Sequence, residues 1–131
     1  MPPRENALLA LNHQVPERIV YLIGDTNMLG VYTIFECVAD HKIELIDRLA
    51  EVYPIDLIDL HDDWGTQKST FMSVDTWKEL LSGPMSRIVK HTREKGIHLQ
   101  IHSCGKVEPI VPEMLEAGIE HWSSCQSMND I

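Results

Sequence analysis

The sequence has little of what marks several protein classes. Three cysteines are too few for a disulfide scaffold and odd in number, so a reducing cytoplasm is the expected location. Positive charge is scarce, with 11 Lys and Arg against 20 Asp and Glu and a formal net charge of -9. This balance argues against nucleic acids and anionic membranes as partners, because both require a positive patch.

Long apolar runs are missing as well. No stretch approaches the roughly 20 apolar residues of a membrane span, and residues 1–14 predict no secretory signal. There is no glycine-rich phosphate loop, no serine-centred nucleophile elbow and no C-x-x-C pair. What is present is a chain of 131 residues, 44% of them hydrophobic, which suits one globular domain with a modest core.

Apolar periodicity predicts alternating strands and helices. A β-branched run at residues 18–24 predicts a buried strand, and a helical pattern extends from Val31 to Tyr53, where Pro54 closes it. The later predicted elements are a strand at 55–60, a helix capped by Ser73 and interrupted at Gly83-Pro84, a second helix ending at Gly96, a strand at 97–101, a helix at 112–117 and a strand at 119–124. Helical crossovers between short apolar strands imply a parallel sheet, so the predicted fold class is α/β.

Polar clusters follow the three later strands at their carboxyl ends. They are "HDDWGTQ" at 61–67, "HSCG" at 102–105 and "SSCQ" at 123–126. Barrels and open sheets of the α/β class place their chemistry at this end of the strands. We therefore expect the three clusters to share one site.

His102 and Cys104 are the candidate metal ligands. On an extended backbone, side chains two residues apart point to the same side, and imidazole and thiolate are both good ligands for zinc. Cys125, after the next strand, is the candidate third ligand. The alternative is a hydrogen-bonded histidine beside a small buried cysteine.

Asp62, Asp63 and Gln67 are the candidate catalytic residues. Either carboxylate can act as acid, base or anchor for a metal-bound histidine, and Gln67 can hold a polar substrate. The alternatives are a loop-capping or solvated carboxylate and a solvated glutamine.

Candidate substrate-binding residues occupy the same strand ends. Asp25 and Asn27 follow the first predicted strand and can line the site or simply form a turn. Trp64 can wall a pocket or belong to the core. Gln126, in the third polar cluster, completes this set.

From about Asp47 to Ile131 the chain resembles the uroporphyrinogen decarboxylase superfamily. The resemblance rests on an Asp-Asp-x-Gly loop at 62–65, a Ser-x-x-x-Trp helix start at 73–77 and an H-x-C-G turn at 102–105, in that order. It is closest to the branch of cobalamin- or corrinoid-dependent methyltransferases. Residues 1–30 also resemble the N-terminus of this family.

The resemblance implies a single (β/α)8 barrel, which needs roughly 250 residues. The family's N-terminus and its central barrel strand are only about 30 residues apart here. We therefore expect a single shortened domain over 1–131, with the family N-terminus at 1–30 and central barrel units at 31–131. Such a chain forms a partial TIM barrel with about half of the usual strands.

The resemblance also implies a function. In this branch the H-x-C turn supplies two zinc ligands, and the zinc activates a thiol that accepts a methyl group from a corrinoid, which is a substrate or is carried by a partner protein. The family's third ligand is a cysteine near the last barrel strand, which lies beyond Ile131, so Cys125, solvent or a second chain would complete the coordination here.

Two other functions remain open. A uroporphyrinogen decarboxylase, acting on a tetrapyrrole in porphyrin biosynthesis, needs no metal, but its arginine-rich signature is not visible after Arg18. A non-catalytic fragment is the third reading, because half a barrel leaves open strand edges that tend to pair with another chain. It would assemble as a homodimer that restores a closed sheet.

Overall fold

The computed structural model describes residues 28–131. Its elements are, in chain order, α1 (Met28–Val52), β1 (Leu57–His61), α2 (Val74–Leu80), α3 (Ser82–Glu94), β2 (His98–His102), a 3-10 turn (Glu108–Ile110), α4 (Val111–Glu116) and β3 (His121–Ser123). This alternation after residue 55 confirms the predicted one, with strand ends shifted by one or two residues. The strand predicted at 18–24 lies outside the described residues.

The three strands form a parallel sheet in the order β1-β2-β3. Leu57 pairs with His98 and His61 with His102 across β1 and β2, and Gln100 pairs with His121 across β2 and β3. The predicted α/β class and parallel sheet are therefore confirmed. Because the strands are in register, their carboxyl ends finish at one edge, and the loops that follow them lie together.

The core lies between the helices and one face of the sheet. Leu99 and Ile101 on β2 are buried, and Ile58 and Leu60 on β1 pack against the same cluster. The cluster also holds Trp77, Met85, Ile88, Val107, Ile110 and Met114 from the helices and the loop after β2. The opposite face carries mostly polar side chains, and its β1 residues Leu57, Asp59 and His61 are all exposed. Burial thus alternates along β1 and β2 as expected when one face is covered.

The helix α1 packs on α3 by both apolar and ionic contacts. Its Ala39 and Ile46 are buried, while Asp47 lies 2.7 Å from His91 Nε2 and 2.8 Å from Lys95 Nζ. Arg87 on α3 also pairs with Glu36 and Asp40. Other apolar residues of the helical pattern, Ile34, Val38 and Leu49, stay 41, 45 and 37% exposed.

The boundary between α2 and α3 lies at Leu81, two residues before the predicted interruption at Gly83-Pro84. The Ser73 hydroxyl accepts a hydrogen bond from the backbone N–H of Thr76 and caps α2. Pro84 stands in the first turn of α3, where its missing N–H breaks no helical bond. Among the described helices, none is both long and apolar enough to cross a bilayer.

Candidate metal centre

The register of β1 and β2 brings two of the polar clusters together. His61 and His102 are paired at the last position of their strands, and the backbone N–H of Asp62 donates to the carbonyl of His102 at 3.0 Å. The ladder thus continues one step beyond β1. Asp63 and Cys104 are each the second residue after their strand, and the Asp63 carboxylate contacts the backbone of Cys104.

Asp63, His102 and Cys104 form a group whose ligand atoms lie within 4.8 Å of one another. The Cys104 Sγ is 3.3 Å from His102 Nε2, and Asp63 Oδ1 is 3.9 Å from the same nitrogen. In a tetrahedral zinc site, bond lengths near 2.0 to 2.3 Å place neighbouring donor atoms about 3.3 to 3.8 Å apart. The thiol sulfur and the imidazole nitrogen are therefore spaced almost as in a zinc site, and the carboxylate oxygen lies somewhat farther from that nitrogen.

The imidazole of His102 is held so that one nitrogen points into this group. Its Nδ1 lies 3.3 Å from the Ser123 hydroxyl and 3.2 Å from the Ser124 hydroxyl. Either oxygen can accept a hydrogen bond from a protonated Nδ1. In the tautomer with the proton on Nδ1, the Nε2 lone pair is directed towards Cys104 and Asp63. Fixing the second nitrogen in this way is how proteins orient metal-binding histidines.

Cys104 is fixed through its backbone. Its N–H donates to Asp63 Oδ1 at 2.9 Å, so one carboxylate both lies in the donor group and anchors the thiol-bearing residue. The set of one imidazole, one thiol and one carboxylate, with a fourth position left to solvent or substrate, fits catalytic zinc.

The two adjacent aspartates have different surroundings. Asp62 Oδ2 pairs with Lys42 Nζ at 2.6 Å and so ties the loop to α1. Asp63 is instead more than half exposed and faces the histidine and the thiol. Of the candidate catalytic residues, Asp63 belongs to the donor group, Asp62 pairs with Lys42, and Gln67 is exposed.

Trp64 is a core residue that also borders a cavity. It is 4% exposed and meets Trp77 edge to face, with ring centroids 5.3 Å apart. A cavity of about 200 Å³ between α1 and α3 is lined by Trp64 together with Asp62 and Asp63. Both interpretations of this tryptophan are therefore compatible with its position.

The third polar cluster, at 123–126, contacts the loop after β2, but its Cys125 is not part of a candidate ligand group in the described residues. Cys125 is exposed and belongs to neither group of candidate ligands in the described residues. Ser124 just before it has φ 62, which turns the chain away from the direction of β3. Gln126 Oε1 accepts a hydrogen bond from Gly105 N–H at 2.7 Å. Asp25 and Asn27 lie outside the described residues.

A second group, Asp59, His61 and His102, was not chosen from the sequence. The alternation along β1 places Asp59 and His61 on one side, which is the signal that could have found them. The rings of His61 and His102 are stacked, 4.2 Å apart and 5° from parallel. Parallel rings direct their nitrogen lone pairs side by side and not at a common point, so the first group is the better metal site.

Comparison of the chain with protein-family models, with curated proteins and with solved structures gave no match.

Proposed function

We propose that this chain is a shortened member of the uroporphyrinogen decarboxylase superfamily, from the branch of corrinoid-dependent methyltransferases. In this proposal it binds zinc through Asp63, His102 and Cys104 and transfers a methyl group from a corrinoid or another methylated substrate to a small thiol or a corrinoid acceptor. The observation that carries the proposal is the convergence of these three donors at the carboxyl ends of two paired strands.

The fold supports the barrel part of the proposal. The strands are neighbours in the same order as in the sequence, and the helices that connect them pack on one face. Sequential parallel strands with helices outside are the repeating unit of a (β/α)8 barrel. In this proposal the polar sheet face, with His61 and His102, is the barrel interior.

Each residue of the site has a separate task in this proposal. A zinc ion supplies the ability to hold a bound thiol as a thiolate, which is the nucleophilic form. With zinc bound, the Cys104 sulfur and the Asp63 carboxylate would supply the negative charge that balances a divalent ion, and His102 would be the uncharged ligand. Ser123 and Ser124 keep the His102 ring in place, and three protein donors leave one position for the substrate.

Zinc content tests the proposed donor set. After reconstitution with zinc and removal of free metal, elemental analysis is expected to give about one zinc per chain. Cys104→Ser and Asp63→Asn are expected to lose it, and the asparagine still offers an oxygen to the Cys104 N–H. Cys125→Ser is the matched control and retains the metal.

The same measurement can overturn the proposal. Wild-type protein that stays zinc-free after reconstitution contradicts the proposal. If zinc is lost in Cys125→Ser but kept in Asp63→Asn, the third ligand is Cys125 and not Asp63.

Methyl transfer from methylcobalamin to a small thiol tests the activity. Turnover of a porphyrinogen without metal would instead support the decarboxylase.

Self-assembly is a second candidate, favoured by the edges of the sheet. Within residues 28–131, β1 and β3 each pair with a neighbour on one side only, and an open edge can accept a strand from another chain. A second copy of this chain would extend the sheet towards a closed barrel. Light scattering after gel filtration is expected to give a dimer, whereas a monomer at micromolar and at hundred-micromolar concentrations contradicts it.

A further inference from the structure

Asn129 uses the whole hydrogen-bonding capacity of its side chain, and three of its four bonds hold the loop that carries Cys104. Its Oδ1 accepts from the backbone N–H of Val107 at 2.8 Å and of Glu108 at 3.0 Å. Its Nδ2 donates to the carbonyls of Gly105 at 2.9 Å and Gln126 at 3.1 Å. Two acceptor and two donor positions are all that an amide side chain offers.

Gln126 adds a fourth bond to the same loop. Its Oε1 accepts from Gly105 N–H at 2.7 Å, so the N–H of Gly105 goes to Gln126 and its carbonyl to Asn129. Gly105 directly follows Cys104, and these two bonds fix the peptide units on both sides of Gly105, the first of which joins it to Cys104. We call Gln126 and Asn129 the C-terminal clamp.

The opposite side of the loop is held by residues that follow β1. The Ser103 hydroxyl accepts from Trp64 N–H at 2.9 Å, and Lys106 N–H donates to the carbonyl of Thr66 at 2.7 Å. The loop is thus held on two sides. One side contains the proposed ligand Asp63, whereas the C-terminal clamp contributes no donor to that group.

We propose that Asn129 is a positioning residue of the metal centre: it holds the loop so that Cys104 Sγ stays within reach of His102 Nε2. This inference rests on the proposed zinc site. A ligand that must be ordered when the metal arrives lowers the affinity by the entropy of that ordering. The C-terminal clamp lowers this cost, because its hydrogen bonds hold the loop through residues that are not among the proposed ligands.

The test compares Asn129→Ala and Asn129→Asp with Ser127→Ala, a control in the same segment. Zinc affinity is measured by competition with a chromophoric chelator, well below the unfolding temperature of every variant. Asn129→Ala is expected to bind zinc at least about tenfold more weakly, as for other groups that orient ligands. Asn129→Asp keeps both acceptor bonds, and its zinc affinity is expected to lie between those of Asn129→Ala and the wild type. Ser127→Ala is expected to bind zinc as tightly as the wild type.

Hydrogen exchange in the metal-free protein gives a second readout that needs no zinc. The amides of Val107 and Glu108 are expected to exchange faster in Asn129→Ala and to stay protected in Asn129→Asp. Wild-type zinc affinity in Asn129→Ala overturns the proposal even if its thermal stability falls, because the residue is then merely structural. Failure of the wild type to bind zinc overturns the proposed function, while unchanged exchange in Asn129→Ala overturns the C-terminal clamp itself.

Discussion

At the scale of single residues, the loop after β2 depends on small side chains in confined places. Ser103 is fully buried, and its hydroxyl both accepts from Trp64 N–H and lies next to the carbonyl of Cys104. The Ser103 carbonyl accepts from the Trp122 indole N–H at 3.0 Å. Ser103, which is not one of the proposed ligands, thus links the two loops of the candidate site to β3.

Ser103→Ala is expected to destabilise the fold by about 1–3 kcal/mol, because it leaves the backbone N–H of Trp64 without its acceptor in the core. Urea denaturation measures the loss. Ser86→Ala on α3 is the matched control, and its effect is expected to stay within about 0.5 kcal/mol. Equal effects in the two variants would contradict the importance of this buried bond.

Gly105→Ala is expected to be more damaging than Gly96→Ala, although both glycines have positive φ, 84 and 73. A Cβ on Gly105 would lie 2.4 Å from the carbonyl carbon of Gly65, whereas a Cβ on Gly96 meets nothing within 4 Å. The control therefore measures backbone strain alone, about 1–2 kcal/mol. In Gly105→Ala the loops after β1 and β2 must also separate. We therefore expect a clearly larger loss of stability in urea than in Gly96→Ala, together with weaker zinc binding.

At the scale of elements, α1 and α3 are joined by ion pairs whose strength depends on pH. Hydrogen bonds from Lys95 and then His91 lower the pKa of Asp47 below its usual 3.8, and their positive charges add to the effect. A depressed carboxyl pKa contributes stability above the unfolded value, and this contribution is lost as the pH falls through the folded one.

Asp47→Asn is therefore expected to lower stability at neutral pH and to match the wild type at pH values below the folded pKa of Asp47. Thermal unfolding measured from pH 7 down to about pH 2 shows the convergence. Glu51→Gln, an exposed change near the end of α1, serves as control and should leave the wild-type pH profile unchanged. A constant gap between Asp47→Asn and wild type across this range would contradict the role of the charge.

The order of the elements could be predicted from the sequence because local signals fix it. The Ser73 cap, the Pro84 helix start and the apolar strand at 97–101 each act within a few residues. The shared orientation of His102 and Cys104 follows from strand geometry for the same reason.

The rest of the site depends on contacts between distant residues. That Asp63 faces the thiol, while Asp62 faces Lys42, is decided by the register of β1 against β2 and by the packing of α1. Cys125 follows Ser124, whose φ of 62 lies outside the extended conformation of a strand. The sequence of either loop does not show which of the two adjacent aspartates faces the thiol, because both are the same residue type in the same loop.

At the scale of the whole molecule, the candidate site joins β1, β2 and β3. Asp63 follows β1, His102 ends β2, and Ser123 on β3 contacts the His102 ring. A metal that binds all three donors only in the folded state stabilises that state by linkage.

Zinc at about 100 times its dissociation constant is expected to add about 2.7 kcal/mol, which raises the Tm of a domain of this size by roughly 10 °C. Calorimetry with and without zinc measures the shift. Cys104→Ser is expected to abolish it and Cys125→Ser to retain it. The same rise in Cys104→Ser would mean that zinc stabilises the chain from another site.

The close approach of Gly65 and Gly105 has a consequence for how such a sequence can change over generations. A Cβ at position 65 would lie 2.9 Å from both the Cys104 carbonyl oxygen and the Lys106 nitrogen, and one at position 105 would run into the Gly65 backbone. Neither position accepts alanine unless the two loops part. Among descendants that keep the site, the two glycines are therefore expected to be inherited as a pair, and their joint loss marks a lineage in which the site has been abandoned.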